Sequence, residues 1–272
     1  MLIRTVVSFA LLPLLLAVIY LAPGWALACV YSLMCAISQY ELLYATGLIK
    51  SKFLVLLSAV VAAAVPFWLF FDIGTFAALC VVAGFILIMF VAAMLEFDKG
   101  ILSFGKISCV LFSVFVVPLF LSLIIPIANG ENGKFTVLLP YMLAWISDTG
   151  AYFAGTFFGQ HRLCPKISPK KSVEGAIGGV LLTVIGGLVY ALIVAGCFDK
   201  SISFPSVLLL AAAGSVLGQF GDLMFSYIKR EYNIKDYGKI FPGHGGVLDR
   251  FDSVALTTPL VYIMIRLFPV IL

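Results

Sequence analysis

FPSVLLLAAAGSVLGQ (Phe204–Gln219) runs through Phe220 into GDLMFSYIKREYNIKDYGKIFPGHGGVLDRFD (Gly221–Asp252), and a second apolar run follows over residues 251–272. The apolar flanks read as membrane-crossing helices. Between them lies the one long stretch dense in charge, in a chain with only 11% charged residues. Charge placed beside a bilayer is costly and marks a functional site by default. The fold this implies is a set of bilayer-crossing helices with a charged site at one membrane face.

Composition agrees. The chain has 272 residues, is 63% hydrophobic and carries a formal net charge of +4, with a mean hydropathy of +1.16. That describes a polytopic, all-α integral membrane protein and excludes a soluble domain. Lipid offers no partner to an open backbone, so helices supply the spans, and the short alternating segments of a β-barrel are absent. The six cysteines form no C-x-x-C pair, and all but Cys164 lie in apolar runs. They read as packing residues rather than a zinc site or a disulfide framework.

Nine spans are expected, at about 5–22, 25–46, 53–71, 73–95, 107–128, 136–158, 175–198, 204–228 and 251–270. The first carries Arg4 ahead of an apolar run but no small-x-small cleavage site, so it is read as retained. With these nine, all of the 17 Lys and Arg except Lys134, Lys200 and Arg266 fall on one side. The positive-inside rule then puts the N-terminus and both large basic loops in the cytoplasm. The chain shows no tandem repeat and is read as a single membrane domain. Residues 1–135 form a helical scaffold with candidate dimer contacts, and residues 136–272 carry the chemistry.

If the helix that begins near Phe204 continues through Arg230, then Asp222, Ser226 and Lys229 recur at i, i+4 and i+7 and share a face. His244-Gly245-Gly246 offers a turn whose backbone N–H groups can approach an anion. Asp249 and Asp252 begin the next helix. Carboxylates on separate helices facing several Lys and Arg suit a metal-assisted reaction on phosphates. The competing reading is a basic loop that orients the protein and contacts anionic lipid.

A second polar cluster interrupts the sixth span. Asp148, Tyr152, Gly155 and Gly159 recur at helical spacing, and an Asp within a span should face inward. The competing role is a helix-packing face with one structural Asp. The loop after it, Gln160–Gly175, is stiffened by Pro165 and Pro169 and carries Lys166, Lys170 and Lys171, an anion site on the same side as the first stretch. Gly100 to Lys106 has P-loop spacing, but Ile107 stands where Ser or Thr must hold Mg²⁺, so it is set aside. Glu41 is read as a structural acid at the interface, with membership of the site as the alternative; Glu96 and Asp98 mark a membrane boundary, and His161 is a surface residue.

The run Ser226-x-Ile228-Lys229-Arg230, Lys235-Asp236-x-Gly238, Phe241-Pro242-x-His244-Gly245-Gly246-Val247-x-Asp249-Arg250-Phe251-Asp252 resembles the signature of phosphatidate cytidylyltransferases (CDP-diacylglycerol synthases), without departure across its 27 positions. Asp148, Ala151 and Tyr152, then Ile167 to Lys171 with Glu174 and Gly175, are similar to two further segments of that family. Two departures stand nearby. Ser172-Val173 replaces the family's usual Thr-Trp, and Gln160 follows Gly159 where a basic residue is common. The detailed resemblance covers about 145–252.

What the resemblance implies is an enzyme that joins CTP to phosphatidate, giving CDP-diacylglycerol and pyrophosphate for phospholipid synthesis. Asp222 and Asp249 would hold Mg²⁺, with K⁺ as a second cation and Asp148 as a third acidic candidate. Lys229, Arg230, Lys235 and Arg250 would neutralise nucleotide and lipid phosphates, and Lys170 and Lys171 the pyrophosphate or the headgroup. His244, Gly245 and Gly246 would shape a phosphate turn. Lys166, Ser168, Ser226, Asp236 and Asp252 complete the expected binding set. The expected setting is a bacterial plasma membrane, multi-pass, with the site facing the cytoplasm and the chain a homodimer among membrane lipids. The basic residues hug the membrane without an aromatic stacking platform, which argues against nucleic acid. The rivals are a transporter for an anionic metabolite and a CTP-dependent lipid-alcohol kinase. A CDP-alcohol phosphotransferase is excluded by its missing Asp-Gly-x-x-Ala-Arg pattern.

Overall fold

A computed structural model describes residues 16–95, 97, 102–240 and 245–272. Arg4, residues 5–15 of the first expected span, Glu96, Asp98, the first two residues of the P-loop-like run and His244 lie outside them.

The described chain is almost wholly helical. The principal helices are α1 (Gly24–Thr46), α2 (Lys52–Phe70), α3 (Thr75–Leu95), the interrupted α4 (Phe104–Ala128), α5 (Leu139–Phe158), α6 (Val173–Phe198), α7 (Phe204–Glu231) and α8 (Leu248–Leu267). Between α5 and α6 two short antiparallel strands, β1 (Arg162–Cys164) and β2 (Ser168–Ser172), pair Arg162 with Ser172 and Cys164 with Ser168. Among the described residues six helices are long and apolar enough to cross a membrane: α1, α2, α3, α4, α6 and α7. Helices α5 and α8 are each 20 residues long and coincide with the sixth and ninth expected spans. Neither is among the six, and each carries the polar residues the sequence singled out.

The chain folds as two compact units, one gathering the chain up to Pro126 with Ile234–Arg250, the other Ile127–Asn233 with Phe251–Leu272. In the first unit α1 ends at Gly47, whose φ of 62° is the left-handed C-terminal cap that glycine adopts without strain. Helix α4 widens into a π turn at Phe112–Val116 just ahead of Pro118, which has no N–H to give the regular ladder. Ser113 in that turn accepts a hydrogen bond from Gln39 Nε2 at 3.0 Å, so two buried polar groups satisfy one another. Tyr31, Leu43, Met89 and Leu121 fill the core.

In the second unit close helix contact rests on small residues, as in membrane bundles generally. A Cβ at Gly150 would lie 2.8 Å from Leu182 Cβ and 2.9 Å from the Gly178 carbonyl oxygen. At Gly179 it would lie 2.8 Å from Gln219 Nε2 and 2.9 Å from the Ser147 carbonyl oxygen. A polar network fills that space: Gln219 Nε2 donates to Ser147 Oγ, Ser215 Oγ and the Ala176 carbonyl, and the two serine hydroxyls lie 2.7 Å apart.

Candidate active site

Helix α7 runs unbroken to Glu231, as the spacing of Asp222, Ser226 and Lys229 requires. Ser226 Oγ donates to Asp222 Oδ1 at 3.2 Å, one helical turn away. Ser226 and Lys229 are both 8% exposed, so the ammonium is held where water is scarce. The expected common face is present.

The second polar cluster meets the same face. Lys171, on β2, places Nζ 2.6 Å from Asp222 Oδ2 and 3.4 Å from the Gln219 carbonyl oxygen. Arg230 Nε donates to the Ile167 carbonyl at 3.1 Å, holding the hairpin turn to the end of α7. Asp252 stands within electrostatic range of Asp222, Lys229 and Asp148, and Ser253 Oγ donates to Asp148 Oδ2 at 3.4 Å. Asp148, Asp222 and Asp252 thus come together with Lys171 and Lys229 in the second unit. Close packing permits it: a Cβ at Gly221 would lie 2.7 Å from the Asp252 carbonyl oxygen.

Lys166 and Lys170 are exposed on the hairpin, where the Lys170 carbonyl accepts from Arg162 Nη1 at 3.5 Å, and Ser168 opens β2 half-buried. The hairpin's base is closed by Glu174, whose carboxylate accepts from the backbone N–H groups of Gln160 and His161 and lies 2.6 Å from His161 Nδ1. His161 therefore has a structural partner as well as exposure.

In the first unit Asp249 is 6% exposed, and its Oδ2 accepts the N–H of Tyr237 at 2.8 Å and of Gly246 at 3.0 Å. Gly245 has a φ of +84°, which glycine tolerates, and a Cβ there would lie 2.8 Å from Asp249 Oδ2. Gly246 is buried; Lys235, Asp236 and Arg250 are exposed.

Among the described residues no three His, Cys, Asp or Glu side chains could hold a metal ion by themselves. Mg²⁺ needs no such cage. It commonly takes one or two carboxylates and completes its octahedron with water and substrate phosphates. Asp222, with Asp252 in electrostatic range, is a donor set of that kind.

Two sets of contacts near these residues were not visible in the sequence. One is the Gln219–Ser147–Ser215 network under the Lys171 contact, signalled only by Ser215 and Gln219 at i, i+4 in an apolar run. The other is the contact of Glu41, which is 4% exposed and accepts the Leu248 N–H at 3.2 Å. A lone carboxylate inside a span was its sole signal.

Comparison with known proteins gives this geometry a context. The model of the Cytidylyltransferase family matches residues 2–268. Over 138 residues the chain is 41% identical to a phosphatidate cytidylyltransferase of Staphylococcus haemolyticus, covering 51% of this chain and 52% of that one. To the enzyme of the same name from Thermotoga maritima it is 39% identical over 165 residues, 60% and 61% of the two chains. To that of Bacillus subtilis it is 34% identical over 171 residues, 62% of each. The chain spans about half the length of the first of these relatives, at 52%.

Proposed function

Since this chain belongs to the cytidylyltransferase family, we propose that it transfers the cytidylyl group of CTP to phosphatidate, forming CDP-diacylglycerol and releasing pyrophosphate. The observation that carries this is the mixed-charge cluster of the second unit: Asp222 paired with Lys171 at 2.6 Å, and the buried Lys229 beside Asp252. Reactions between two polyanions need cations first and proton transfer second.

In this reading a phosphate oxygen of phosphatidate attacks the α-phosphorus of CTP. The new P–O bond forms as the bond to the β-phosphate oxygen breaks, and that electron pair leaves with pyrophosphate. Mg²⁺ would be held by Asp222 and by Asp249, the two acids that flank the signature loop, and would supply charge neutralisation to the triphosphate. Asp252 and Asp148 add acceptor oxygens near Asp222. Lys171 and Lys170 receive the pyrophosphate or the lipid headgroup, while Lys229, Arg230, Lys235 and Arg250 neutralise the remaining phosphates. Gly245 and Gly246, with His244 as their neighbour in sequence, belong to the proposed phosphate turn. Phosphatidate is already anionic near neutral pH, so no general base is required.

The same proposal keeps nine spans, a cytoplasmic N-terminus, a site facing the cytoplasm of a bacterial plasma membrane, and a homodimer. In it residues 1–135 serve as scaffold and 136–272 carry the chemistry. Support for that setting comes from the one-sided distribution of Lys and Arg and from relatives of bacterial origin.

The test is purified protein in lipid micelles with phosphatidate, Mg²⁺ and CTP labelled at either the α or the γ phosphorus. Cytidylyl transfer sends the α label into the lipid phase and the γ label into pyrophosphate. A γ label in the lipid would mean a kinase, and no lipid label would contradict the proposal.

A further inference from the structure

Glu41 lies on α1, a membrane-spanning helix far in sequence from the signature loop, yet its carboxylate is buried against that loop. Its Oε2 accepts the N–H of Leu248, the first residue of α8, at 3.2 Å. Oε1 makes no hydrogen bond among the described residues. The carboxylate sits where a side chain on Gly238 or Gly246 would otherwise go, since a Cβ on either would overlap it.

One residue beyond Leu248, Asp249 turns back to accept the N–H groups of Gly246 and Tyr237. Tyr237, Gly238, Gly246 and Leu248 therefore gather about two carboxylates, that of Asp249 and one delivered by α1, within electrostatic range of each other. Burying a second acid beside the first is unfavourable. A helix N-terminus offsets part of that through its unpaired N–H groups and positive dipole end. For packing alone, an apolar side chain would serve at lower cost.

We propose that Glu41 is a positioning residue for the transfer reaction: it holds Gly238, Gly246 and Leu248 about its carboxylate, and thereby sets where Asp249 presents its own. The glycines at 238 and 246 follow from the same contact, because they are the spaces into which the Glu41 carboxylate fits. This rests on the cytidylyl-transfer reading for the role of Asp249, but the hold itself does not.

The experiment compares E41A, E41Q and E41D with the wild-type full-length protein in micelles, by amide hydrogen exchange and by the Mg²⁺ dependence of the reaction. In E41A the amides of Tyr237, Gly246 and Leu248 should exchange about tenfold faster or more, those of α7 should not change, and the Mg²⁺ concentration for half-maximal rate should rise about tenfold. In E41Q the amide oxygen still accepts the Leu248 N–H, so most of both properties should return. If E41A does not fold, E41D decides: one methylene shorter, it should loosen the loop and shift the Mg²⁺ dependence where E41Q does not. Wild-type exchange at Leu248 in both E41A and E41D would overturn the proposal. So would a loosened loop with unchanged Mg²⁺ dependence, the result of a merely structural contact. A wild-type protein that makes no cytidine-bearing lipid would sink the cytidylyl-transfer reading alone, and the exchange comparison would still decide the hold of Glu41 on the loop.

Discussion

The ammonium of Lys171 stands 2.6 Å from Asp222 Oδ2 and 3.4 Å from the Gln219 carbonyl oxygen, tying the second hairpin strand to the membrane-spanning helix that bears the acid. Both side chains keep about a quarter of their surface exposed, at 24% and 28%. A pair so accessible to solvent contributes about 0–1 kcal/mol to stability. Its consequence is placement: a basic side chain is stationed at the carboxylate proposed to receive Mg²⁺.

Asp222→Asn keeps the shape of the side chain and removes its charge. The rate of CTP-dependent lipid formation should fall about 100-fold or more, while the protein still inserts and elutes as folded material. Unchanged turnover would remove Asp222 from the metal centre.

Lys171→Ala should act on substrate use rather than on folding. We expect KM for CTP or phosphatidate to rise about tenfold, the value of one charge-assisted contact of roughly 1.5 kcal/mol, with a melting temperature close to wild type. Normal kinetics would reduce the hairpin to a contact with lipid headgroups.

Gly179→Ala tests the packing beneath that pair. The added methyl would press on Gln219 Nε2 at 2.8 Å and on the Ser147 carbonyl oxygen at 2.9 Å. Overpacking of this kind costs about 1–3 kcal/mol, so the thermal midpoint in micelles should drop, and activity with it as Gln219 shifts. A wild-type melt would mean that the helices part without cost.

The two side chains paired at the base of the hairpin should respond differently. Glu174→Ala removes the acceptor of two backbone N–H groups and should speed proteolysis across residues 160–172. His161→Ala removes only an exposed contact and should change stability by less than about 1 kcal/mol. Equal effects would show that the side-chain pair, and not the backbone clamp, closes the hairpin.

Helices were legible because bilayer spans leave a strong mark: long apolar runs bounded by charge. The Asp222–Ser226–Lys229 face followed from helical spacing, and its continuation to Glu231 is what the structure shows. The hairpin was not legible. Ser168 to Ser172 has the sequence Ser-Pro-Lys-Lys-Ser, with no β-branched or aromatic residue to signal a strand, and it forms where tertiary contacts from Arg230 and Lys171 hold it. The partner of Glu41 was not legible either, because nothing in the sequence tells that a carboxylate will meet an N–H 207 positions along the chain. Local spacing is visible in a sequence; convergence of distant segments is not.

The most direct test of the central claim counts products. Proteoliposomes containing the chain, supplied with CTP, Mg²⁺ and phosphatidate, should release pyrophosphate and form cytidine-bearing lipid in equal amounts, with neither appearing when phosphatidate is left out. Release of CDP with a phosphorylated lipid, or CTP consumption that does not need phosphatidate, would contradict it.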